Sequence, residues 1–544
     1  MKLKRTLCLL LALALMLPLS LPAAAADATR DYTREEQLGF ALKALGLFQG
    51  YSPSCLVLED TPTRAQALVM MLRLMGLDQE ALAETGACPF DDIPQDNWAA
   101  PYVTYAQRTG LTKGQSEHYF GADEPADART YLTFVLRALG YSSEGADADF
   151  RWDSPVSLAQ KVGIAPDQVR FSDFRRADVA TVSYAALGAK MKENGQTLAR
   201  VLLTRGVLSV EGLSAYYDPE AIRNGGMASP YAENVAAYYR SLRLQEGADI
   251  SGLPVSYHSS VALVGDMGFE LYGFYEYGAR KVAETIASGA AAVAGKARVF
   301  GIIVPNAMGA VLSYADAGRL CSTPKTETEA ITYAYRVMGS QVTPVDAITN
   351  LRLHNDQYIF FRTDHHWTAL GSYYAYEAWA EAAGKEPVGL DRFDVKTQYN
   401  HLGYFYSACG GPPAMRYNPD TVTAYVPRSS FTCTPAEAMD FTGWGYNVFL
   451  GGDRGLTTIV NNDIEDESAC VLVKDSYGNP FATWLTQHYH TVYVVDYRYY
   501  RNNPGYLDFS RFADELGVQD FIVLLPMTLS QADYTADCLA SYCR

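Results

Sequence analysis

CVLVKDSYGNPFATW, residues 470–484, decides the fold class of this 544-residue chain. An apolar run ends at Lys474, the chain turns through Asp475, Ser476, Tyr477 and Gly478, and a helical pattern starts at Pro480. That is a buried strand running through a tight turn into a helix. Working outward, similar runs occur at ARVFGIIVP (297–305), DQYIFFRT (356–363), TVYVVD (491–496) and DFIVLLP (520–526). Helical patterns lie between them, at GARKVAETIASGAAAVAG (278–295) and TALGSYYAYEAWAEAAG (368–384). Near-continuous apolar strands alternating with helices predict an α/β domain from about residue 234 to 544. Its sheet should be mostly parallel, with helices on both faces. Ligands of such sheets sit at the carboxyl ends of the strands.

Two polar motifs fall at that rim. One is the Ser476 turn. The other is RTDHHWTALG, in which Arg362, Asp364, His365, His366 and Trp367 stand between an apolar run and a helix. A serine hydroxyl becomes a nucleophile when a base within hydrogen-bond reach takes its proton. Imidazole is the suitable base near neutral pH, and a carboxylate fixes its tautomer. Asp364 and His366 are two positions apart, so on an extended segment they share a side and His365 faces away. The expected constellation is Ser476, His366 and Asp364. The Ser476 N–H, with Tyr477, Gly478 or Asn479, is expected to stabilise an oxyanion. Lys474 and Arg362 are candidates for polarising a carbonyl or binding an anionic sugar, and Trp367 and Tyr477 for a sugar platform. A metal site is the competing reading, because Asp364, His365, His366 and Asp475 form a usable ligand set. Opposed histidines on an extended segment disfavour it, and the expectation is no metal and no cofactor.

Composition bounds the rest. The formal net charge is -17, with 49% hydrophobic and 12% aromatic residues. Such a chain builds real cores and offers no basic face for nucleic acid. Lys2, Lys4 and Arg5, the apolar run after them and small residues through Ala26 read as an export signal at 1–26. Beyond Cys8, eight cysteines remain, and in an exported chain Cys55–Cys88 and Cys409–Cys433 are the first disulfide pairs to test.

Between residues 28 and 205 the chain carries three related helical units. The middle one reads FDDIPQDNWAAPYVTYAQRTGLTKG and then YFGADEPADARTYLTFVLRALGY (90–114 and 119–141). The first offers TPTRAQALVMMLRLMG (61–76). The third offers FRWDSPVSLAQKVGIA (150–165) followed by FRRADVATVSYAALGAKM (174–191). Residues 206–233, with DPEAIRNGGMASP, read as a linker.

These units resemble the S-layer homology repeat, with its F-x-D-V…W-A start, glycine-hydrophobic turn and T-R-A-E motif. The hallmarks stand here as Phe90-Asp91-Asp92 with Trp98-Ala99, as Thr63-Arg64-Ala65-Gln66 and as Arg175-Arg176-Ala177-Asp178. The middle copy departs from the motif at Ala128-Arg129-Thr130-Tyr131. The resemblance implies an all-α wall anchor that grips anionic cell-wall polysaccharide through Arg64, Arg129 and Arg176, and hence a cell-wall-associated, extracellular protein.

RTDHHWTALGSYYAYEAW and VKDSYGNPFATWLTQHYHTVYVVDYRYY resemble the two long motifs of the DHHW proteins, over about Asn234 to Leu525. That family is similar to the SGNH-like domains of the alginate O-acetylation machinery, in which an Asp-x-His pair and a later serine form a triad. The resemblance implies an SGNH-hydrolase-like fold carrying Asp364, His366 and Ser476. It also implies an O-acyl, chiefly acetyl, transferase or esterase acting on cell-wall or exopolysaccharide, with a membrane-bound O-acyltransferase as partner. Lys474 replaces the glycine of the relatives' G-D-S form. A non-catalytic carbohydrate-binding surface protein with a vestigial triad is the alternative.

Overall fold

The computed structural model describes residues 32–50, 53–500 and 507–544. The expected export signal at 1–26 lies outside them. Among the described residues no helix is long and apolar enough to cross a membrane. The chain divides into two compact units. One holds the segment ending at Phe48 with Leu58–Ala232, the other Gln49–Val57 with Glu233–Arg544.

The first unit is helical. Four of its helices are α1 (Arg34–Ala44), α2 (Arg64–Leu74), α3 (Ala128–Ala138) and α4 (Arg176–Gly188). Thr63 caps α2 through a box with Gln66, as the TRAQ motif suggests. The free N–H groups at the helix starts are satisfied by other repeats: Arg64 N–H donates to the Glu124 carbonyl at 2.8 Å and Arg176 N–H to that of Asp60 at 2.9 Å. Residues 206–233 are not an open linker. They form short helices at Val210–Tyr216 and Ala221–Asn224 and, through Ala232, belong to the first unit. Asp218 ties them down, its N–H donating to the Tyr184 hydroxyl at 2.7 Å and its carboxylate accepting from Ala228 N–H at 2.9 Å. Helices of one or two turns are too short to show a hydrophobic period.

The second unit is built on a seven-stranded sheet. Its strands are β4 (Arg298–Val304), β5 (Thr343–Val345), β8 (Phe431–Thr434), β9 (Leu456–Asn461), β10 (Ala469–Lys474), β11 (Thr491–Asp496) and β12 (Asp520–Pro526), in the order β5-β4-β12-β10-β11-β9-β8. The first five run parallel, and β9 and β8 pair antiparallel at the edge. Every residue of β10 and β12 is buried, so both faces are covered. The covering helices include α5 (Ala369–Ala383), α6 (Gly478–Leu485) and α7 (Phe509–Leu516). Trp379 of α5 meets Phe300 at 6.2 Å on one face. Phe509 of α7 stacks on Phe521 at 4.3 Å on the other, since Phe521 pairs with Val299, the neighbour of Phe300. The small sheet β1 (Val255–His258), β2 (Val261–Val264), β3 (Met267–Glu270) and the ribbon β6 (Phe393–His401) with β7 (Asp420–Pro427) complete the unit.

One expected strand is absent. Residues 356–363 pair with nothing in the large sheet; Phe360 forms only an isolated bridge with Trp367, and Thr368 N–H closes the loop on the Ile359 carbonyl at 2.9 Å. Ile359, Phe360 and Phe361 are apolar because they are core residues beneath a loop. A short apolar run carries no mark that separates these cases. The disulfide expectation also fails. Cys55, Cys88, Cys409 and Cys433 are free thiols, Cys409 being buried beside Phe405 and Met415.

Candidate functional site

Ser476 stands in the turn between β10 and α6, at the carboxyl rim of the parallel sheet. Its Oγ lies 2.9 Å from His366 Nε2, and His366 Nδ1 lies 2.6 Å from Asp364 Oδ1. The structure therefore brings the three expected residues together, although the Asp364 loop does not follow a strand of that sheet.

The ribbon β6–β7 holds this loop in place. Asp420, fully buried at the start of β7, accepts from Thr363 N–H at 2.8 Å, from Thr363 Oγ1 at 2.6 Å, from Arg362 N–H at 3.0 Å and from the Tyr358 hydroxyl. Just past β6, Tyr404 N–H donates to Asp364 Oδ2 at 2.9 Å. A side-chain carbon on Gly403 would lie 2.2 Å from the same oxygen, so only glycine fits there. Burial alone would raise the Asp364 carboxyl, but the hydrogen bond and charge of His366 hold it well below the usual carboxylate range. The Asp364 carboxylate has one oxygen on the imidazole and the other on the backbone.

The two loops are tied by Trp367 Nε1, which donates to the Tyr477 carbonyl at 2.9 Å, and by the Tyr477 hydroxyl, which donates to the His365 carbonyl. Trp367 and Tyr477 are both buried and offer no sugar platform. His365 does not face away. The loop bends rather than running extended, and its ring lies 3.9 Å from that of His366. Tyr446 stacks on His366 at 3.9 Å and 14°.

The turn uses most of its own donors. Tyr477 N–H goes to Asp475 Oδ1 at 3.0 Å, Gly478 N–H to the Asp475 carbonyl at 3.0 Å and Asn479 N–H to the Ser476 carbonyl at 3.1 Å. Those three expected oxyanion donors are thus engaged. Ser476 N–H has no acceptor among the described residues.

Lys474 is not free at the rim. It is buried, and its Nζ meets Asn479 Oδ1 at 2.6 Å, Asp496 at 3.2 Å and Asp453 at 3.4 Å. Arg498 closes this network on Asp496 and Asp453, both at 2.7 Å. Lys474 therefore braces the turn that holds Ser476, and is not placed to polarise a carbonyl. Arg362 is likewise occupied, by the Pro419 carbonyl at 3.0 Å and by Asp266 at 3.5 Å. Burial pushes the Asp475 carboxyl up to about 6 against the charge of Arg498, and that of Glu270 up to about 7 against the charge of His366. Asp420, Gly403, Tyr446 and Arg498 were missed from sequence. They act across the fold, and only the Asp-Tyr-Arg end of β11 hinted at one.

Asp364, His365 and His366 offer ligand atoms within 4.8 Å of one another, a cluster with the donor set of a metal site. In the first unit, Arg64 and Arg176 are the first residues of their helices and lie over aromatic rings, Phe120 at 5.1 Å and Phe48 at 5.4 Å. Arg129 is the second residue of α3 and exposed, because Asp127 is the cap and Ala128 takes the first place. Arg34 holds the equivalent first place on α1, behind the Thr33 cap.

Residues 247–495 match the protein-family model described as "DHHW protein". A solved DHHW family protein from Eubacterium siraeum is similar at 23% identity, over 53% of this chain and 97% of that one, with a TM-score of 0.47. A cell surface protein of Thermoanaerobacter kivui is 29% identical over 124 residues, which is 23% of this chain and 16% of the relative. A middle cell wall protein of Brevibacillus brevis is 29% identical over 125 residues, 23% of this chain and 12% of the relative. The matched stretch thus spans less than a fifth of either curated relative.

Proposed function

We propose that the second unit is an acyl-transfer enzyme, an O-acetyl transferase or esterase of surface polysaccharide, with Ser476 as nucleophile. The observation that carries this is the unbroken line from Ser476 Oγ to His366 Nε2 at 2.9 Å and from His366 Nδ1 to Asp364 at 2.6 Å. Ser476 Oγ attacks the ester carbonyl carbon as its proton passes to Nε2. Asp364 stabilises the resulting imidazolium. Ser476 N–H faces the oxyanion. The C–O bond to the leaving alcohol breaks, the alcohol takes the proton from Nε2, and an acyl-serine remains. An acceptor hydroxyl or water then attacks, returning its proton through the same imidazole. Transfer and hydrolysis differ only in which acceptor arrives.

The helical unit is proposed as the wall anchor, with Arg64 and Arg176 as polysaccharide contacts; the names of the cell-surface and cell-wall relatives support that placement. An arginine at a helix start presents a rigid fork of donors to a carboxylate.

The test is hydrolysis of a generic acetyl ester by wild type, Ser476→Ala and His366→Ala, with and without a chelator. The reading requires turnover that both substitutions abolish and the chelator leaves intact. The Asp364, His365 and His366 cluster favours a metal hydrolase as second reading. That reading requires loss on chelation and recovery with a divalent ion.

A further inference from the structure

Two large aromatic side chains stand exposed on segments that reach the two histidines, Trp444 at 66% and Tyr404 at 54%. The Tyr404 ring meets His365 edge-on at 5.6 Å, and its backbone holds Asp364. Trp444 is two residues before Tyr446, the ring stacked on His366. A chain covers at most about 3.6 Å per residue, so its backbone stays within about 7 Å of that of Tyr446.

The loop carrying Trp444 is rigid. Gln398 clasps both sides of it, donating to the Gly443 carbonyl at 2.7 Å and accepting from Gly445 N–H at 2.8 Å. Gly445 has φ +60 with the His401 ring against it, and a side-chain carbon on Gly443 would lie 2.0 Å from the Asn447 carbonyl oxygen. Neither position accepts another residue without moving the loop. Holding an indole in water on so constrained a loop forgoes its burial, which is worth a few kcal/mol for a large apolar side chain, and it spares the ordering cost when a ligand arrives.

We infer that Trp444 and Tyr404 are stacking subsites for pyranose rings of the acceptor glycan. This rests on the acyl-transfer reading above. An acceptor must present a hydroxyl to an acyl-serine at this rim. A pyranose does so with a flat C–H face for an aromatic ring and hydroxyls for exposed amides such as Asn447. Trp367 and Tyr477, which the motif suggested for the task, are buried and cannot reach a sugar.

The full chain and its Trp444→Ala, Trp444→Phe and Tyr404→Ala variants are to be compared on p-nitrophenyl acetate and on O-acetylated xylo-oligosaccharide. The expected result is a fall of about tenfold in the ratio of oligosaccharide to small-ester kcat/KM for each alanine variant, carried by KM, with Trp444→Phe restoring most of it. An unchanged ratio overturns the inference and leaves the acyl-transfer reading standing. So does a wild type that cleaves the small ester and ignores the oligosaccharide. A wild type inert towards both removes the acyl-transfer reading, and the subsites with it.

Discussion

The indole Nε1 of Trp367 donates to the main-chain carbonyl of Tyr477 at 2.9 Å, joining loops 110 residues apart in sequence. With the Tyr477 hydroxyl on the His365 carbonyl, it fixes the distance between the imidazole and the serine. Trp367→Phe keeps the ring and removes the donor. The expected cost is about 1–3 kcal/mol, for an unpaired buried carbonyl. Acylation of Ser476 should slow tenfold or more, because small misplacements of reacting groups are expensive. Stopped-flow ester cleavage beside a urea melt separates the two, and unaltered acylation in a destabilised variant counts against the tether.

Asp364→Asn leaves the shape of the loop and removes the charge that orients His366. A fall of about three to four orders of magnitude in kcat is expected for a triad of this kind. A loss below tenfold means that the carboxylate only shapes the loop.

Lys474 lies buried among Asp453, Asp496 and Asn479. Lys474→Met strips the cation from buried carboxylates and should destabilise by about 3–5 kcal/mol. Chemical denaturation checks it; a shift under 1 kcal/mol shows that Arg498 alone satisfies the network.

Glu327 is buried with Oε1 unpartnered, and burial pushes its carboxyl up to about 8. The unfolded chain releases this proton in the ordinary carboxylate range, the folded chain only near pH 8. Stability is therefore lost as pH rises between those values. Glu327→Gln should stabilise the protein at pH 8, with the advantage fading towards pH 4. Thermal melts across that range decide it, and a pH-independent difference contradicts it.

For the helical unit, Arg64→Ala combined with Arg176→Ala should cut retention on isolated cell walls about tenfold, whereas Arg129→Ala should not. An equal loss from Arg129→Ala would undo the distinction drawn from helix position. That distinction was available in the sequence. Asp127 is a better helix cap than Ala128 and moves the start by one residue. The strands β4, β10, β11 and β12 were legible too, because burial on both faces leaves a continuous apolar run. YIFF was misread because a core loop leaves the same trace. Asp420, Gly403 and Tyr446 were not legible: each matters through a partner that only the folded chain brings near.

The most direct test is intact-mass analysis of the full chain after exposure to a serine-reactive sulfonyl fluoride, with peptide mapping. The account predicts one adduct per chain, on the peptide holding Ser476, absent in Ser476→Ala and formed far more slowly in His366→Ala. An unlabelled wild type, or the same adduct in Ser476→Ala, would contradict it.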